Sequence, residues 1–198
     1  MTTDVRNIAR WHGSPWRRAL WLGAALLLAL PAIAMRFTAE VDWTLSDFVV
    51  MGLLLAVACG AIDFGMRLSG SLAYRAGVVV GVGGAFLLLW VNMAVGLLGG
   101  EANPANLMFL GVLAIGATGA LVARFRARGL AITMLAMAVA QVLVAVIAVA
   151  SGQAGSSPTM EVVGVTVVFL APWLFSAALF RAAHTDEAPG ASTDHAGD

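Results

Sequence analysis

Six predominantly apolar runs, at 17–36, 45–67, 75–99, 104–123, 130–150 and 158–180, are separated by short polar joints. Each is close to the roughly 20 residues that an α-helix needs to cross a bilayer core. In lipid, a helix satisfies its backbone N–H and C=O groups within a single segment. The pattern therefore predicts an all-α fold: a polytopic membrane protein built as a bundle of six transmembrane helices. Short joints make sequential helices antiparallel. Residues 1–16 form an N-terminal tail, and residues 182–198 form a polar tail too poor in large apolar side chains to order itself.

Local signals support these boundaries. Gly70, Gly99 with Gly100, Gly129 and Gly152 follow four of the runs, where a residue able to adopt positive φ closes a helix. Trp43-Thr44-Leu45-Ser46-Asp47-Phe48 reads as a capping box, with Thr44 as N-cap, Asp47 at the third helical position and Trp43 stapled to Phe48. Asn103-Pro104 and Ser157-Pro158 each set a capping side chain before a proline at the first helical position.

Charge sets the orientation. All eleven basic residues are arginine. Arg6, Arg10, Arg17, Arg18, Arg67, Arg75, Arg124, Arg126, Arg128 and Arg181 fall on one side, and Arg36 alone falls on the other. That second side carries Glu40, Asp42, Asp47, Glu101 and Glu161. The positive-inside rule then puts both termini in the cytoplasm and the acidic joints outside. Arg17-Arg18, the apolar stretch to Leu30, Pro31 as a helix breaker and Ala32-Ile33-Ala34 also match a cleaved signal peptide. The expectation adopted is a retained first helix, since the run sits behind a polar lead; the remaining five helices are oriented identically in both cases.

Composition narrows the function classes. With 61% hydrophobic and 11% charged residues, the chain has more apolar side chain than a soluble domain of this length could bury. Cys59, the single cysteine, reads as a small buried hydrophobe. His12, His184 and His195 fall outside the apolar runs, so no haem or zinc site is expected in the bundle. No phosphate loop, nucleophile elbow or zinc-protease pair occurs, so no catalytic residue, metal or cofactor is expected. Threading accounts for the arginines without nucleic acid. The expected partners are the lipid bilayer and a membrane protein or second copy of this chain, met through small-residue faces. Those faces are Gly52, Ala56 and Gly60 on the second helix, Gly77 and Gly81 on the third, and Gly116 with Ala120 on the fourth. They point to helices two to four as the tight centre.

Polar groups inside the spans are the remaining candidates, because each is costly in lipid unless paired or hydrated. Asp63 lies about 27 Å along the second helix, near the arginine-rich end, with Arg67 one turn on as its expected ion-pair partner. Gln141, about 16 Å into the fifth helix, is expected to bond a neighbouring helix, as is Asn92 on the third. Facing each other, Asn92 and Gln141 would instead line a cavity. On the acidic side, Glu40, Asp42, Glu101, Asn103 and Asn106 are candidates for an interaction site. The Asn103-Pro104-Ala105 triplet stands on a joint too short to re-enter the membrane, which argues against a water channel. Two functions fit: a non-enzymatic packing or interaction protein, or a small transporter or channel with a polar path through Asn92, Gln141 and Asp63. An intramembrane enzyme has no candidate nucleophile.

The segments Trp43-Thr44-Leu45-Ser46-Asp47-Phe48 and Asn103-Pro104-Ala105-Asn106-Leu107-Met108-Phe109 resemble those of a family of small polytopic proteins of bacterial inner membranes. The resemblance would cover residues 17–181. It implies a bacterial inner-membrane setting and no known activity or catalytic residue.

Overall fold

The computed structural model describes residues 15–152 and 159–187. Among these residues the regular structure is entirely helical: α1 Pro15–Ala34, α2 Leu45–Leu68, α3 Leu72–Val95, α4 Met108–Val122, α5 Ala127–Ala150 and α6 Thr159–Glu187. A 3-10 turn, Pro104–Leu107, leads into α4. Counting that turn with α4, six helices are long and apolar enough to cross a membrane. Contacts divide the chain into two units, one ending at Asp63 and the other beginning at Phe64.

The first unit holds α1 and most of α2. Its capping box forms as the sequence predicts. Asp47 N–H donates to Thr44 Oγ1 (3.4 Å), Thr44 N–H donates back to Asp47 Oδ2 (2.7 Å), and the Trp43 and Phe48 rings meet edge-on at 5.3 Å. Pro31 does not break α1, which runs on to Ala34. No residue of α1 is buried, whereas α2 buries Met51, Leu55, Cys59 and Asp63 at four-residue spacing. On the predicted small-residue face, Gly52 lies near Leu28, while Ala56 and Gly60 are exposed.

The second unit is centred on α6, which packs against both α3 and α5; α4 packs against α5. Here the structure corrects the expected centre. The glycines of α3 and α4 do allow close approach, but their partners are α6 and α5. A Cβ added at Gly77 would come within 3.0 Å of the Phe180 ring, one at Gly81 within 3.0 Å of Ser176 Oγ, and one at Gly84 within 2.8 Å of Pro172. Likewise Gly116 meets Met137 and Gly119 meets Thr133. At the heart of the unit Leu88, Met137, Gln141, Trp173 and Ser176 are fully enclosed.

Four helix ends differ from expectation. α3 stops at Val95, four residues early, because Gly96 takes φ 65° and caps the helix with its N–H on Asn92 O. It also starts early, at Leu72, because Ser71 Oγ accepts the Tyr74 N–H. Gly129 closes nothing: it sits inside α5, and α4 ends instead on Arg124 and Phe125, both with positive φ (50° and 58°). Phe125 N–H reaches back to Ala120 O (3.1 Å) in a Schellman-type bond. The turn is pinned by the Tyr74 hydroxyl, which donates to Phe125 O (2.8 Å), and by the Phe125 ring edge-on to Phe64 at 5.2 Å. Finally, α6 continues through Glu187, into the tail expected to be disordered; the Ser157-Pro158 cap lies outside the described residues.

Candidate functional site

Asp63 is tied within its own unit. Its carboxylate receives Arg17 Nε at 2.8 Å, with the two side chains 11% and 30% exposed. Beside Arg67, to which the i+4 spacing points, the structure adds Arg17, 46 positions back, which sequence alone gave no reason to consider; α1 delivers it because the antiparallel pairing of α1 and α2 returns the chain to the same end. Arg67 is exposed and makes contacts of its own. An acid held by a guanidinium near a helix end anchors the two helices to each other where the span meets water.

Asn92 and Asn106 belong together. Asn92 Nδ2 donates to Asn106 O (3.2 Å), while the Asn106 side chain accepts Leu98 N–H (2.9 Å) and donates to Gly100 O (2.7 Å). One amide thus cross-links both halves of the joint between α3 and α4, and Asn106 is only 6% exposed as a result. Asn103 Oδ1 caps the 3-10 turn by accepting Ala105 N–H (3.0 Å). Leu97, Leu98 and Ala105 fold inward beneath this network. Of the residues proposed for an outer contact surface, Glu40, Asp42 and Glu101 are exposed, Asn103 is half-buried, and Asn106 is occupied inside the loop.

Gln141 is fully buried, and neither amide atom has a hydrogen-bond partner among the described residues. The bond to a neighbouring helix expected from the sequence is not made. Nor do Asn92 and Gln141 bond each other: the Asn92 donor goes to the loop and its Oδ1 is unpartnered. The interhelical bond in this unit comes from a residue that sequence reasoning passed over. Ser176, also fully buried, donates its hydroxyl to Gly77 O at 2.8 Å, joining α6 to α3. A serine amid an apolar run, with glycines on another helix, was the available signal.

No group of three or more His, Cys, Asp or Glu side chains able to hold a metal occurs among the described residues. Comparison with protein-family models, curated proteins and solved structures finds no match. The six apolar helices themselves define the class: this is an integral, multi-pass membrane protein in contact with the lipid bilayer.

Proposed function

We propose that the protein is a non-enzymatic packing and interaction protein of a bacterial inner membrane, with both termini cytoplasmic. The single observation that carries this reading is the enclosure of Gln141, the polar residue nearest the middle of a span, at 0% exposure. A path for water or solute would give such an amide an open face. Asp63 and Asn92, the other members of the suggested path, are engaged locally by Arg17 and by the α3–α4 joint. The orientation rests on the arginine distribution, and the bacterial setting on the resemblance of the two capped segments. Contacts with a partner or a second copy would use the exposed carboxylates Glu40, Asp42 and Glu101 or the open Ala56–Gly60 part of α2.

The test is flux through proteoliposomes. Reconstituted protein should leave proton and potassium permeability at the level of protein-free liposomes, and Gln141→Leu should fold with equal or greater stability, since it removes an unbonded buried amide. A protein-dependent flux that Gln141→Leu abolishes without unfolding the protein would establish the transporter reading instead.

A further inference from the structure

At the arginine-rich end of the second unit a concavity of about 530 Å3 opens between the start of α3, the α4–α5 turn and the last turns of α6. Its lining includes Tyr74, Arg124, Arg126, Arg128 and His184. We propose that this concavity is a binding site for a phosphate-bearing anion, with the headgroup of an anionic phospholipid in the adjacent leaflet as its natural source.

Topology alone requires arginines somewhere on this joint. It does not require them around a cavity, and three features go beyond it. First, the guanidinium groups of Arg124, Arg126 and Arg128 pair with no carboxylate among the described residues, so their donors are open to a ligand. Arginine's planar fork matches phosphate oxygens two at a time, which makes a cluster of three a better phosphate site than a site for a simple monovalent anion. Second, α5 begins at this point with Arg126 as a cap that contributes no side-chain bond. The first amides of a 24-residue helix therefore end at the cavity without a capping oxygen, and their dipoles add to the field of the arginines. Third, the turn is held before any ligand arrives: Tyr74, 2% exposed, bonds the Phe125 carbonyl, and the Phe125 ring rests on Phe64. A held turn loses little conformational freedom on binding.

Position selects the source. The cavity lies where membrane-spanning helices end, which is the depth of lipid headgroups, and basic pockets between helix ends suit anionic headgroups. Free phosphate would meet the same donors, and the experiment separates the two.

The full-length protein, purified in nonionic detergent, is titrated with phosphatidylglycerol or phosphatidylcholine, and bound lipid is read by native mass spectrometry. Phosphatidylglycerol should bind at least about tenfold more tightly than phosphatidylcholine, whose choline cancels the phosphate charge. Replacing Arg124, Arg126 and Arg128 together by Gln should weaken phosphatidylglycerol roughly a hundredfold and leave phosphatidylcholine unchanged. The triple Lys variant keeps the charge that orients the chain, so it remains informative if the Gln variant does not fold; it should bind about tenfold more weakly than the native protein, having lost the paired donors. Displacement of phosphatidylglycerol by millimolar inorganic phosphate would assign the site to phosphate in general, and resistance to displacement would assign it to the lipid. Equal affinity for the two lipids, or native affinity in either triple variant, would overturn the proposal.

Discussion

Replacing Asn106 by Ala tests whether one amide holds the α3–α4 joint. The substitution removes the acceptor of Leu98 N–H and the donor to Gly100 O. The two losses are unequal. Leu98 is 1% exposed, so its amide would be left without a partner and without water, a cost of about 1–3 kcal/mol. Gly100 is exposed, and water can replace the lost donor at its carbonyl for little. We expect a net destabilisation of about 2 kcal/mol. The assay is equilibrium unfolding in mixed nonionic detergent and sodium dodecyl sulfate micelles, followed by far-UV circular dichroism, with hydrogen exchange across 96–107 as a local readout. If the joint opens locally, its amides should exchange about thirtyfold faster. Asn106→Asp separates the two bonds, because a carboxylate keeps the acceptor for Leu98 but faces the Gly100 carbonyl with no donor; it should be at least as damaging as Ala. A loss below about 0.5 kcal/mol for Ala, or native stability for Asp, would refute the assignment of the joint to this side chain.

Two further substitutions probe the packing. A Cβ at Gly129 would lie 2.5 Å from Ala123 Cβ and 3.1 Å from its Cα, so Gly129→Ala should cost about 1–2 kcal/mol despite the better helix propensity of Ala, whereas Gly111→Ala, with open space around it, should be neutral or stabilising; melting temperatures of the same sign for both would show that no close approach exists. For the ion pair, a double-mutant cycle of Arg17→Gln and Asp63→Asn should return a coupling of about 1 kcal/mol, given that both groups are partly solvated, and a coupling near zero would mean that α1 is held by other contacts.

The number of helices and two of their capped starts were legible because lipid imposes length and caps are local. Thr44 with Asp47, and Asn103 before Pro104, needed only a few neighbouring residues to be recognised, and both form. What was illegible was the identity of neighbours. A helix that is apolar all round has no polar face to mark its inside, so nothing in the run 158–180 announced that α6 would be the hub of its unit. Gly77 and Gly81 announced a close approach but not to Phe180 and Ser176. The same limit applies at the candidate site: Asp63 was visible as an acid needing a partner, but Arg17 reaches it only through the pairing of α1 with α2. The turn at Arg124 and Phe125 was missed for a different reason. Positive φ is ordinarily signalled by glycine, and here two side-chain-bearing residues adopt it while the nearby Gly129 serves a helix contact instead.

The account rests on a dry centre in the second unit, and the most direct measurement is thiol labelling at Gln141. In a Cys59→Ala background, Gln141→Cys and, as an exposed control, Glu101→Cys are reconstituted in liposomes and treated with a small water-soluble maleimide. The account predicts rapid labelling at 101 and none at 141 until the protein is unfolded. Labelling of 141 in the folded protein would show that water reaches the core, and would contradict the reading of this molecule as a packed, non-conducting bundle.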